Sequence, residues 1–146
     1  MPDKFHPVPL RIQLQLILRE LNDHNSVFGI PAELFFHPAD HLHLATELFG
    51  HQIHNPVGVA AGPHTQLAQN IVVAWLTGAR YIELKTIQTL DEIQVSKPCI
   101  DMQDEGYNCE WSQELTIRES FQEYLNAWII IHLLNHKIGW TKDPGM

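Results

Sequence analysis

At 146 residues, 45% hydrophobic and 18% charged, the chain has the size and composition of one folded domain and not of a disordered segment. Nine Lys plus Arg against seventeen Asp plus Glu give a formal net charge of -8, which argues against the positive surface that generic nucleic-acid or anionic-membrane binding needs. No apolar run approaches the ~20 residues that cross a bilayer, and the N-terminus has no apolar signal region, so the expected compartment is the cytoplasm.

In chain order, Leu10, Leu14, Ile17, Leu18 and Leu21 fall at helical spacing behind Pro9, which predicts an amphipathic helix over Leu10 to Leu21. Phe28-Gly29-Ile30-Pro31 breaks it, and Pro31 is placed to open a short second helix through Leu34 and Phe35. The segment that follows is rich in histidine: His37, His41, His43, His51 and His54. Their spacing fits no tight ligand motif and no cysteine lies nearby, so no metal site is expected. His41 and His43 alternate with Leu42 and Leu44 as on a half-exposed strand. Leu42 to Leu48, a turn at Gly50, and Gln52 to His54 read as a β-hairpin.

Val57 to Ala61 is a short apolar run ending in tiny side chains and Gly62, and Tyr81 to Leu84 is a second run ending in Lys85-Thr86. Between them Leu67, Ile71, Val72, Trp75 and Leu76 recur at helical spacing, with Gly78 as a stop. Strand, helix, strand is a βαβ unit, whose crossover puts both strand C-terminal ends on one side. One end offers bare backbone and the other a cation and a hydroxyl, which together make a ligand mouth.

Ile87 to Tyr107 is long, loop-rich and without clear periodicity, and loops of this kind are often functional. Cys99 and Cys109 are expected as thiols with a structural role. A long helix is predicted over Ile117 to Leu134, with Ile117, Phe121, Tyr124, Leu125, Trp128, Ile129 and His132 as the stripe that packs on a sheet. Glu119 and Glu123 suit its N-terminal half. The tail from Trp140 is polar and turn-rich, and no internal repeat is visible.

Asn55-Pro56-Val57-Gly58-Val59-Ala60-Ala61-Gly62 resembles the first-strand signature of dihydroorotate dehydrogenase-like flavoproteins, and the hairpin before it also matches. Gly78 to Thr86 resembles their second strand, where a lysine-threonine pair meets the flavin. Tyr107-Asn108-Cys109-Glu110 resembles the pyrimidine-binding stretch of the dihydropyrimidine dehydrogenase flavin domain. Ala60 to Asn70 and Lys97 to Asp101 look most like the N-terminal flavin domain of large subunits named as selenate reductases.

The resemblance implies an α/β fold, the N-terminal portion of a TIM (β/α)8 barrel that is incomplete in this chain. Residues 1–40 would be a helical extension, and 41–146 the hairpin and the first two βα units. It implies FMN as cofactor, with Ala60, Ala61, Gly62, Lys85 and Thr86 in a partial binding site. Asn108 and Glu110 would bind a small, nitrogen-containing ring substrate. The family's phosphate-binding loops and its proton-transferring Cys or Ser belong to later strands, so no catalytic residue is expected here. Two functions stay open, the N-terminal part of an FMN-dependent hydride-transferring oxidoreductase, inactive alone, or a non-catalytic truncated product or assembly module, with a small histidine-rich metal-binding protein as a lesser third. The module would dock on itself or a companion chain through an open sheet edge.

Overall fold

A computed structural model describes residues 5–87, 89, 100–101, 107–108, 114–139 and 145. Helix α1 spans Leu10–His24, starts behind Pro9 and ends at Asn25, whose left-handed backbone (φ 50°) donates its N–H to the Glu20 carbonyl. Ile17 is buried and Leu10, Leu14 and Leu21 pack against the same core, whereas Leu18 is left 53% exposed. Gln13 takes a buried place instead, its side-chain amide donating to the Val8 carbonyl at 2.7 Å.

Two hairpins follow, and each turns on the dipeptide Phe-Gly. Strands β1 (Ser26–Val27) and β2 (Ile30–Pro31) pair antiparallel around Phe28 (φ 49°) and Gly29 (φ 76°). Strands β3 (Thr46–Leu48) and β4 (His51–Ile53) pair around Phe49 (φ 53°) and Gly50 (φ 81°). Two residues in succession with positive φ form the tight turn whose twist matches that of paired strands.

Between the hairpins the predicted elements shorten. The helix expected from Pro31 is one 3-10 turn, Ala32–Leu34. The strand expected to carry His41 and His43 is a pair of 3-10 turns over Pro38–Leu44, kinked at His41 (φ -132°, ψ 33°). Pro38 favours such a start, and the His41 ring stacks on Phe36 at 5.0 Å, so it does not share a strand face with His43. Among the described residues no three His, Cys, Asp or Glu side chains group as a metal ion would require.

The βαβ unit forms as the pattern predicts. Strand β5 (Gly58–Val59) pairs parallel with β6 (Tyr81–Ile82), and α2 (Ala68–Leu76) is the crossover. Asn55 anchors its entrance: its side chain accepts from Val57 N–H and donates to the Gly78 carbonyl, both at 2.7 Å. Gly78 takes a positive φ (120°) that side chains rarely adopt. Arg80 closes this end. It is fully buried, donates to the Trp75 and Ala79 carbonyls at 2.7 and 2.8 Å, and lies over the rings of Phe36 and Trp75. Burial lowers its guanidinium to about 10, which leaves it charged at neutral pH.

Strands β7 (Ile100–Asp101) and β8 (Tyr107–Asn108) form a further antiparallel pair. Every sheet among the described residues is two-stranded, and β5–β6 is the parallel one. Helix α3, Ile117–Ile138, opens on a capping box in which Thr116 Oγ1 accepts from Glu119 N–H and the Glu119 carboxylate accepts from Thr116 N–H. It ends at Gly139 (φ 73°).

The buried face of α3 differs from the predicted stripe. Ser120, Glu123, Ala127, Ile130, Ile131 and Leu134 face inward, while Ile117, Phe121 and Trp128 are 50%, 65% and 58% exposed. Its main neighbour is α2 and not a sheet. The core forms where α1, α2 and α3 meet, around Ile17, Val72, Trp75, Leu76, Ile130 and Ile131.

Candidate functional site

The C-terminal ends of β5 and β6 lie side by side because the crossover through α2 makes the strands parallel. The structure thus brings Ala60, Ala61 and Gly62 next to the segment carrying Lys85 and Thr86. Ala60 and Thr86 are exposed, Ala61 is half-buried, and Gly62 and Lys85 are buried. Lys85 is 3% exposed, with its Nζ donating to the Thr86 carbonyl at 3.2 Å. Asn108 lies in β8, opposite Ile100 in a separate strand pair. Glu110, Cys99, Cys109 and the tail from 140 to 144 fall outside the described residues.

The backbone at this mouth is held by side chains that sequence reasoning did not single out. The ladder between the strands runs through Glu83 N–H to the Val59 carbonyl at 2.9 Å. In a regular parallel ladder the next rung would join Ala61 N–H to the Glu83 carbonyl. Here Ala61 N–H donates to the Glu83 carboxylate at 3.2 Å. On the other side of the same peptide group, His64 Nε2 lies 3.2 Å from the Ala60 carbonyl; a carbonyl only accepts, so that nitrogen carries the proton. Thr65 Oγ1 accepts from Gly62 N–H and donates to the Gly62 carbonyl at 3.0 Å.

Two buried carboxylates, Glu123 in α3 and Glu114 just before it, then fasten this loop. Gln66 Nε2 donates to Glu114 at 2.6 Å, and Ala68 N–H, at the first turn of α2, donates to Glu123 at 2.8 Å. Burial raises the Glu123 carboxyl above the usual range, opposed by the Ala68 amide and by Asn126. Burial likewise raises the Tyr124 phenol above its usual value. The only sequence signal for these contacts is that Glu123 and Asn126 fall at the same helical spacing as the apolar Ala127, Ile130 and Leu134. That signal marks the residues but names no partner.

No helix among the described residues is long and apolar enough to cross a membrane. Comparison with known proteins places the chain in a lineage. Residues 28–146 match the family model described as oxidoreductase YgfK, N-terminal TIM-barrel domain. The chain is 49% identical over 134 residues to the protein described as "Putative oxidoreductase YgfK" in Escherichia coli strain K12, and equally to its counterpart in strain O157:H7. That match covers 92% of the chain but only 13% of each of these relatives. No solved structure matches. The parallel βαβ unit and the family match agree, and the chain belongs to the YgfK N-terminal TIM-barrel family of oxidoreductases.

Proposed function

We propose that this chain supplies the ring-facing part of an FMN site in an oxidoreductase that moves hydride to or from a small, nitrogen-containing ring substrate. The observation that carries the reading is the parallel pairing of β5 with β6, from whose adjacent C-terminal ends the segments bearing Ala60 to Gly62 and Lys85-Thr86 depart. Nothing larger than a methyl group stands on residues 60 to 62, so a flat ring can approach the backbone there. Lys85 is already withdrawn from water, where a positive charge acts most strongly on negative charge developing nearby. Thr86 would add one hydrogen bond at the rim. When bound, FMN would supply the hydride chemistry itself. Asn108 and Glu110 would hold the substrate ring.

The whole fold on this reading is a (β/α)8 barrel of the FMN-binding class, which takes about 250 residues. This chain provides a helical extension over residues 1–40, the hairpin and the first two βα units. By itself it would hold FMN too weakly to purify with it, and it would work in the cytoplasm. A second reading is favoured by the lone β5–β6 pair among the described residues. An unpaired strand edge is a template for another chain, so the protein would then be a non-catalytic module docking on a second copy or a companion.

The test is a chimera in which this chain replaces the matching segment of the Escherichia coli relative. The purified chimera should show flavin absorbance, and Lys85→Ala should lower its FMN affinity about tenfold or more, as for loss of a charge-assisted contact. A folded but colourless chimera overturns the reading.

A further inference from the structure

The geometry points to Glu83, His64 and Thr65 as positioning residues that hold the backbone of the mouth in one orientation before any ligand arrives. This rests on the reading of the strand ends as a ligand site, and nothing in the likeness to known proteins assigns these residues. Within residues 60 to 62, four backbone groups are each taken by a side chain. The Ala60 carbonyl meets His64 Nε2, Ala61 N–H meets the Glu83 carboxylate, and both polar groups of Gly62 meet Thr65 Oγ1.

The Ala60–Ala61 peptide is a single plane gripped from both edges, by an imidazole N–H on its oxygen and a carboxylate on its N–H. A planar peptide turns as a unit, so the two contacts together oppose its rotation. Strand pairing would hold Ala61 through the Glu83 main chain; the carboxylate replaces that rung where the ladder ends. Thr65 is 3% exposed, so its two bonds to Gly62 are shielded from water, whereas Glu83 and His64 stand at the more open side. A site is precise when the groups facing the ligand are locked by a supporting layer of hydrogen bonds. Here the facing groups are main-chain atoms and methyls, and these three side chains are that layer.

Amide hydrogen exchange of the isotope-labelled 146-residue chain tests this residue by residue, without any ligand. Glu83→Ala should speed exchange of Ala61 N–H about five- to tenfold relative to Val59, the equivalent of one net hydrogen bond. Glu83→Gln keeps an acceptor oxygen and should restore most of the protection, which a role of net charge would not predict. His64→Ala should speed Ala61 exchange less than Glu83→Ala does, because it frees the peptide oxygen and not its N–H. Unchanged Ala61 exchange in Glu83→Ala, or equal loss in Glu83→Ala and Glu83→Gln, overturns the inference. Adding FMN to the same samples separates it from the functional reading. Shifts at residues 60 to 62 that weaken in Glu83→Ala and return in Glu83→Gln support both. Intact Ala61 protection with no FMN response in the wild-type chain or the chimera keeps the clamp and removes the ligand.

Discussion

Replacing Glu123 removes the carboxylate that receives Ala68 N–H at 2.8 Å, 55 residues away in sequence. Ala68 is 0% exposed, so in Glu123→Ala its N–H has neither the carboxylate nor ready access to water. A buried donor left without a partner costs about 1–3 kcal/mol. For a domain of about 150 residues, each kcal/mol lowers Tm by roughly 2–4 °C. Glu123→Gln behaves differently, because its amide oxygen still accepts from Ala68 while the charge is gone. Burial raises the Glu123 carboxyl above its ordinary value of 4.5, so the folded chain binds that proton more tightly than the unfolded chain does. The stability this provides is complete below 4.5 and is lost as pH rises through the elevated folded value. Urea unfolding followed by tryptophan fluorescence, across that window and on to neutral pH, should show Glu123→Gln gaining on the wild type as pH rises, with a plateau above it. The reasoning is refuted if the difference between Glu123→Gln and wild type does not change with pH, or if Glu123→Ala costs less than about 0.5 kcal/mol, the ordinary effect of a surface substitution.

The orientation of α3 makes a sharper contrast still: Ile130→Ala, at a side chain 0% exposed, should cost about 2–5 kcal/mol, whereas Trp128→Ala, at 58% exposure, should cost under about 1 kcal/mol. Equal losses in urea unfolding would mean the helix is turned the other way. At Gly58 an added Cβ would run into the Tyr81 ring, so Gly58→Ala should destabilise by about 1–3 kcal/mol. Because Tyr81 is 43% exposed and its ring is the obstacle, the cost should largely vanish in a Tyr81→Ala background; an additive double mutant would show that backbone, and not the ring, is responsible.

Local chemistry was legible in the sequence wherever neighbours in the chain decide the outcome. The βαβ unit followed from two apolar runs, one helical repeat and Gly78, all within residues 57 to 86. The hairpin turn at Gly50 and the start of α1 were legible in the same way, though α1 runs on to His24 and the first hairpin strand begins only at Thr46. The mouth was legible as a place, since parallel strands joined by one crossover must end on the same side. Its supporting residues were not. Glu83, His64 and Thr65 read as ordinary polar residues until the strand ends and the turn at Pro63 bring them onto the backbone.

The clearest limit is α3. Apolar residues occur on more than one side of this helix, so periodicity admits two stripes, and the bulkier one with Phe121 and Trp128 is the one left outward. What selects the inner face is a partner far along the chain. The first turn of α2 presents a buried amide that needs an acceptor, and Glu123 with Asn126 answers it, while Ile130, Ile131 and Leu134 close over Trp75 and Ile17. The sequence by itself determined α1, the turn at Gly50, the βαβ unit and α3, because turns, caps and strand-helix alternation are set by residues a few positions apart. Only the tertiary structure decided which face each element buries, because leaving a polar group unpaired in the core costs more than leaving an aromatic ring in water.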